Sequence, residues 1–306
     1  MKRARVALIA LVCGMLCACG SSPSRERTRN AARSNSGVAQ ATHGADDFRD
    51  DVELPQSRRY RQNRDSTPDG AGIDIASLPE PVPKAEPHSR YGNKSPYSVL
   101  GETYHVLPSA AGYDERGIAS YYGAKFHGYM TSDFEKYDMY AFSAASKVLP
   151  LPSYARVTNL DNGKSVIVRI NDRGPFAQNR IIDLSYAAAV RIGVWPKGTG
   201  LVEVQGIDPA REHAEPPPPI TVSAQAGGAP KLYLQVGAFG DPLNAERLAA
   251  RLRDQDVGAV RVVDAQVGGR ELKRVQIGPL ADVDAADRVT EKIDALGLPH
   301  AQVAVQ

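Results

Sequence analysis

Residues 230–306 contain an internal repeat that limits what they can fold into. The run Leu234-Gln235-Val236-Gly237 matches Val275-Gln276-Ile277-Gly278 at an offset of 41 positions. Each copy reads as a strand, a helix and a strand, and Asp241 followed by Pro242 marks the start of the first helix. Two such units predict a βαββαβ domain, in which a four-stranded sheet carries both helices on one face.

Strand alternation predicts which side chains of this domain point away from the helices. Successive residues of a strand face opposite sides, so the apolar residues of 232–236 and 273–277 pack on the helices. The polar residues then share an exposed sheet face: Tyr233, Gln235, Arg274 and Gln276. An aromatic ring beside amides and a guanidinium suits a sugar, although exposed strand positions are also polar without any ligand.

Residues 97–209 read as a second globular unit, rich in short strands and turns. Asp161-Asn162-Gly163 lies between two apolar strands as a hairpin turn. One helix is expected from Ser185, its N-cap, to Gly193, its terminator. Many short strands with a single short helix predict a small β-barrel.

The first residues have the pattern of a secretory signal. A basic start precedes the apolar run 6–18, which is shorter than the roughly 20 residues of a transmembrane helix. The run Leu16-Cys17-Ala18-Cys19-Gly20 resembles the lipobox of bacterial lipoproteins. We therefore expect residues 1–18 to be a cleaved signal peptide and Cys19 to be lipidated; an ordinary signal with a stray cysteine is the alternative. Gly20 and Ser21 follow Cys19, and an aspartate there would resemble the inner-membrane retention signal, so its absence at these positions favours the outer membrane.

Cleavage would change the charge that the whole chain shows. The 37 basic and 35 acidic residues sum to +2, but three basic residues lie in the signal, which leaves 34 against 35 and a net charge of −1. A nearly neutral chain gives no electrostatic reason to expect nucleic acid as a partner. The six histidines are scattered without ligand spacing, so we expect neither a metal site nor a cofactor.

Two segments are expected to be linkers. Residues 19–96 lack a sustained apolar period and contain charged and proline-rich runs, which predicts a disordered tether. Residues 210–229 include Pro216 to Pro219 and Gly227-Gly228, which predicts an extended Pro/Gly-rich spacer.

The repeated domain resembles a known module. Residues 230–306 resemble a SPOR domain, a septal peptidoglycan-binding module. The resemblance rests on the repeated segments from Gln235 to Phe239 and from Gln276 to Leu280. This resemblance implies that the open sheet face binds glycan strands stripped of their peptides.

Residues 97–209 resemble the six-stranded double-psi β-barrel of the rare lipoprotein A family. The resemblance rests on the runs 117–123, 126–128, 149–160, 168–176 and 180–185. Signal, tether, barrel, linker and SPOR domain also follow in the family's order. The resemblance implies a septal lytic transglycosylase that cleaves the MurNAc–GlcNAc bond of peptide-free glycan, leaves a 1,6-anhydro end and acts in daughter-cell separation.

The same resemblance assigns candidate site residues. Asp172 is the leading acid/base, and Glu135 aligns with a second active-site carboxylate. Ser146 stands where the family usually has a histidine, and Phe134 stands where it usually has a glycine. His127 is a candidate for lining the groove or for a structural role. Asp183, between two apolar residues, is interpreted as structural.

Two other functions remain open from the sequence. The changes at Ser146 and Phe134 favour a wall-binding lipoprotein that has kept the groove without turnover. A hydrolytic muramidase would use the same groove with water as the nucleophile. In each case the expected partners are peptidoglycan glycan strands and the outer membrane, through the lipid anchor.

Overall fold

The computed structural model describes residues 51, 53–62, 64–68, 74–209, 230–298 and 300–306. The signal peptide, Cys19, the first part of the tether and the linker 210–229 lie outside the described residues, so their predictions stay predictions. Among the described residues, no helix is long and apolar enough to cross a bilayer.

Six strands of the first unit close into a barrel. Four short elements precede them among the described residues: α1 (Gln56–Arg59), a 3-10 turn (Ile75–Ser77), β1 (Tyr97–Val99) and β2 (Glu102–Tyr104). The barrel strands are β3 (Asp114–Tyr122), β4 (Ser143–Ser146), β5 (Ser153–Asn159), β6 (Ser165–Asp172), β7 (Arg180–Ser185) and β8 (Gly200–Ile207). They close in the order β3-β7-β4-β6-β5-β8, and the pairs β3–β7 and β4–β6 are parallel. The predicted six-stranded double-psi β-barrel is confirmed.

The predicted helix of the barrel unit is α2 (Tyr186–Ile192). Ser185 accepts a hydrogen bond from the Ala188 amide at 3.3 Å, and Gly193 ends the helix with φ of 76°. Small buried side chains from Ala187 to Ala189 let the helix approach the barrel core closely.

The second unit has the predicted βαββαβ order. Its elements are β9 (Leu232–Phe239), α3 (Pro242–Asp254), β10 (Val260–Val267), β11 (Arg270–Leu280), α4 (Val283–Ala295) and β12 (Gln302–Val305). The antiparallel sheet has the order β10-β11-β9-β12. Both helices begin at an aspartate N-cap: Asp241 accepts from the Leu243 amide and Asp282 from the Ala285 amide.

Residues 74–96, which we call the pre-barrel segment, correct the prediction of a tether that is disordered up to residue 96. Glu80 accepts a hydrogen bond from the Ile167 amide at 2.9 Å, and Arg191 donates to the carbonyl of Leu78 at 2.8 Å. Glu86 holds Arg169 through two hydrogen bonds of 3.1 Å. The segment is bound by these polar contacts and by Ile75 and Leu78, which pack on the barrel core. Two neighbouring apolar residues are too few to form a period that the sequence could reveal.

The Glu86 contact predicts a measurable stability. Glu86 also accepts a hydrogen bond from the Tyr154 hydroxyl, and its bonds to Arg169 lower the pKa of its carboxyl. We expect Glu86→Gln to lower the free energy of unfolding at pH 7 by about 1.5–3 kcal/mol, because it removes charge-assisted bonds to a half-buried guanidinium. Urea denaturation measures this.

The matched control is Glu102→Gln, on the exposed hairpin of β1 and β2. A surface change of this kind should alter stability by less than about 0.5 kcal/mol. Equal effects of the two substitutions would contradict a specific role of Glu86.

Candidate active-site groove

A groove of about 720 Å³ lies over the middle of β4. Ala145 pairs in register with Asp172 on β6 and with Asp183 on β7. Directly opposed residues of neighbouring strands point to the same face, so both carboxylates face the groove across a small alanine. The remaining lining has three basic residues (Arg59, Lys125, Arg173), five aromatic residues (Tyr60, Tyr122, Phe126, Phe134, Phe176) and five others (Met130, Thr131, Ser132, Gly174, Pro175).

Asp172 is held by one of its two carboxyl oxygens. Its Oδ1 accepts hydrogen bonds from the Ser132 amide at 2.8 Å, the Ser132 hydroxyl at 2.6 Å and the Arg173 amide at 2.7 Å. Burial raises the pKa of the Asp172 carboxyl, while these donors oppose the rise. Because the donors occupy Oδ1, a proton on this carboxyl belongs on Oδ2.

Asp183 also lies in the groove, which changes its interpretation as a purely structural residue. Its carboxylate accepts a hydrogen bond from the Ser120 hydroxyl, and Arg180 donates to the same hydroxyl at 3.2 Å. Burial raises the pKa of Asp183, and the nearby charge of Asp172 adds to the rise. Two acidic side chains thus face one cavity in different hydrogen-bond environments.

Tyr122 places a phenol beside the two carboxyls. Its ring stacks on Tyr137 with centroids 4.1 Å apart, and the side chain is buried. Burial, followed by the negative charge of Asp172, raises the pKa of the phenol well above its usual value. The hydroxyl is protonated at neutral pH, and its oxygen is buried beneath the groove surface. Reasoning from the sequence did not select this residue, because a tyrosine inside a strand reads as core.

The loop that supplies Ser132 is a tight turn built on Asp133. The carboxylate of Asp133 accepts from the Thr131 hydroxyl at 2.7 Å and from the Glu135 amide at 3.2 Å. Phe134, between them, has φ of 67°, in the left-handed region that favours glycine. The loop thus has a glycine-type conformation although a phenylalanine occupies the position.

Glu135 lies outside the groove lining. Its carboxylate pairs with Arg169, and the Asn171 amide donates to it at 3.4 Å. Since Arg169 also binds Glu86, the pre-barrel segment and the site loop are connected through one guanidinium. The structure therefore does not bring Glu135 together with Asp172 in the cavity.

Ser146 and His127 also have other partners. The Ser146 side chain is buried and accepts from the Leu149 amide at 3.1 Å, while its carbonyl accepts from Arg173 at 2.9 Å. His127 Nδ1 accepts from the Met139 amide at 3.2 Å, which favours a structural role. Neither side chain lines the groove.

The open face of the second unit differs from its prediction. Tyr233 and Gln276 are only 4% and 0% exposed, so the expectation that they are exposed is wrong. Arg261 of β10 covers both: its guanidinium carbon lies 3.6 Å from the Tyr233 ring centroid, and Nη2 donates to Gln276 at 2.7 Å. Arg261 is the cross-strand partner of Gln276. This register between β10 and β11 could not be predicted from the sequence. Gln235 and Arg274 remain partly exposed.

No group of three or more histidine, cysteine, aspartate or glutamate side chains suitable for a metal ion occurs among the residues that the structure describes.

Both globular units of the chain are similar to known protein families. A family model described as lytic transglycolase matches residues 114–205, and a SPOR domain model matches residues 228–304. The protein named "Endolytic peptidoglycan transglycosylase RlpA" of Pseudomonas aeruginosa strain UCBPP-PA14 is 38% identical over 287 residues, covering 78% of this chain and 83% of its own. The chain belongs to the RlpA family. The RlpA of Vibrio cholerae is also 38% identical, over 79% of this chain and 88% of its own.

A solved structure is also similar to the second unit of this RlpA-family chain. It is titled as the SPOR domain of RlpA from Pseudomonas aeruginosa, and it is 33% identical, covers 24% of this chain and 96% of its own, with a TM-score of 0.23.

The hydroxyl of Ser132 gives a test of the Asp172 clamp that does not require activity. Its bond lowers the pKa of Asp172, so Ser132→Ala should move the carboxyl titration midpoint, followed by ¹³C NMR, to higher pH. If the pKa of the Asp172 carboxyl is higher in the folded state than in the unfolded state, the protein loses stability as the pH rises from the unfolded-state pKa to the folded-state pKa. The variant should therefore lose more stability at pH 7 than at pH 3, by about 1.5–3 kcal/mol.

Ser98→Ala is the control, because Ser98 shares an exposed hydrogen bond with Thr103, a neutral group. Its effect on stability should not depend on pH. An unchanged Asp172 midpoint in Ser132→Ala would refute the proposed clamp.

Proposed function

We propose that the barrel groove cleaves the MurNAc–GlcNAc bond of peptidoglycan glycan strands as an endolytic transglycosylase, with Asp172 as acid and then base. The observation that carries the proposal is the groove-facing carboxyl with a raised pKa, clamped by three donors on a single oxygen. Membership of a family whose relatives are named endolytic peptidoglycan transglycosylases supports the same reaction class.

The proposed reaction uses the two oxygens of Asp172 differently. The proton on Oδ2 passes to the glycosidic oxygen as the bond to C1 of MurNAc breaks, and positive charge develops at C1. The carboxylate then takes the proton of the C6 hydroxyl of the same sugar, whose oxygen bonds to C1. The products are a GlcNAc hydroxyl end and a 1,6-anhydro ring, and no water is consumed.

Neighbouring groups have distinct proposed roles. Asp183, across Ala145 from Asp172, stabilises the positive charge at C1 when it is ionised. Glu135 acts as a positioning residue, since its pairing with Arg169 fixes the loop that carries Ser132. Ser146 likewise holds the turn that binds Arg173.

The second domain is proposed to hold the enzyme on peptide-free glycan at the division septum. Its SPOR match supports binding to the cell wall, and Gln235 and Arg274 are the partly exposed polar residues of the predicted face. Lipidation at Cys19 would attach the chain to the outer membrane facing the periplasm, within reach of the wall.

A non-catalytic wall-binding protein is the second candidate. The observation that favours it is Ser146, which stands in place of the family's usual histidine and points into a backbone turn.

Product analysis separates these functions. The full-length protein is incubated with amidase-treated sacculi, and released sugars are identified by mass. We expect anhydro-ended products, and a loss of at least about 100-fold in rate for Asp172→Asn, because general acid–base catalysis contributes about 10²–10⁴-fold. Reducing ends would indicate a hydrolase, and absence of release would indicate a binding protein.

The same assay is applied to a second groove variant, Asp183→Asn, and to a surface control, Asp161→Asn. Asp183→Asn should reduce the rate, whereas Asp161→Asn, at an exposed hairpin turn, should leave it unchanged. Undiminished release of anhydro products by Asp172→Asn would contradict the acid assignment.

Glycan binding by the second domain has a separate test. In the Asp172→Asn background, Gln235→Ala combined with Arg274→Ala should weaken cosedimentation with peptide-free sacculi, because partly exposed donors of the sheet face are removed. The control is Arg247→Ala on the exposed surface of α3. Unchanged sedimentation of the double variant would contradict this use of the sheet face.

A further inference from the structure

Two exposed aromatic rings lie against each other, tilted, at the rim of the groove. Tyr91 and Phe134 are 52% and 45% exposed, and their ring centroids are 4.2 Å apart at an angle of 34°. Phe134 lines the same cavity as Asp172, and Tyr91 extends its aromatic surface beyond that lining. We call this pair the rim platform.

The loop that carries Tyr91 is fixed against the site. The Ser89 amide donates to the Leu151 carbonyl at 2.8 Å, and Asn93 accepts from the Leu151 amide at 2.8 Å. Between them, Gly92 has φ of 72°, and a Cβ there would lie 2.8 Å from the Ser132 carbonyl oxygen. Tyr91 is therefore held beside the loop that clamps Asp172.

Phe134 stands at a position that disfavours it energetically. A bulky side chain is rare at φ of 67°, and a half-exposed ring gains only part of the hydrophobic energy of burial. Glycine would avoid the backbone strain, so stability does not explain the phenylalanine. Residues held in such conformations concentrate at functional sites, where the surroundings impose them.

We propose that the rim platform is a glycan subsite that stacks one pyranose ring of the strand entering the groove. The C–H groups of a sugar ring carry partial positive charge and suit the negative faces of aromatic rings. The platform is continuous with the groove lining and has no charge of its own, which fits a neutral sugar ring. This inference rests on the proposed function, because it takes the groove ligand to be glycan.

The test observes the platform itself. Full-length protein with ¹³C-labelled phenylalanine rings, in the Asp172→Asn background, is titrated with peptide-free GlcNAc–MurNAc oligosaccharides. The chain has six phenylalanines, and loss of one signal in Phe134→Leu assigns the ring. We expect the Phe134 resonances to shift with saturation. Because this signal reports one ring, glycan binding by the second domain does not obscure it.

Substitutions then measure the contribution of the platform. Phe134→Gly and Tyr91→Ala should each raise KM for peptide-free glycan about three- to tenfold, the range expected for one aromatic contact, with kcat little changed. Phe134→Gly should also unfold at a higher urea concentration than wild type, because the strain is removed. Leu100→Ala, an exposed apolar residue on the hairpin of β1 and β2, should leave KM unchanged.

The outcomes separate this inference from the proposed function. A saturable Phe134 shift without any turnover by wild type would support the subsite and overturn the enzymatic proposal. Turnover by wild type without a Phe134 shift, and with KM unchanged in both variants, would overturn the subsite alone. A shift caused only by apolar peptides would also overturn it, in favour of a protein partner.

Discussion

The site depends on the convergence of three hydrogen-bond donors on one oxygen of Asp172. Two come from Ser132 and one from the Arg173 amide, and they join the loop before β4 to the end of β6. The convergence determines which oxygen carries a proton, while burial makes the carboxyl retain it to higher pH. An aspartate in a turn usually only accepts hydrogen bonds from nearby backbone amides. In Asp172 these bonds use Oδ1 alone, so Oδ2 faces a groove that is large enough for sugar rings.

The segment that precedes the barrel holds this arrangement from outside. Asn93 accepts from Arg173 Nη2 at 3.0 Å, and Arg173 Nε donates to the Gly92 carbonyl at 2.7 Å. Glu86 binds Arg169, which in turn holds Glu135 on the site loop. The proposed catalytic geometry is therefore shared between the barrel strands and residues 86–93, and contacts remote from the groove determine the position of the loop.

Periodic features of the sequence predicted periodic structure. The repeat gave the βαββαβ order, and Ser185 and Gly193 gave the ends of α2, because such signals act within a few residues. The position of Asp183 in the groove could not be predicted from such local signals, because it depends on how β6 and β7 pair with β4 on either side. The same applies to Arg261, whose cross-strand pairing with Gln276 covers the face expected to be open. The pre-barrel segment was missed because its contacts are isolated and distant in sequence: single polar bonds, and the packing of Ile75 and Leu78 on the barrel core.

The central claim is that Asp172 Oδ2 delivers the proton to the glycosidic oxygen. A crystal structure of Asp172→Asn with a bound peptide-free glycan oligosaccharide tests this most directly. The account predicts a MurNAc–GlcNAc glycosidic oxygen within about 2.6–3.2 Å of the side-chain atom that replaces Oδ2, with Ser132 still bonded to the other atom. A glycan whose scissile oxygen lies instead beside Glu135, or whose path avoids the groove over Ala145, would contradict it.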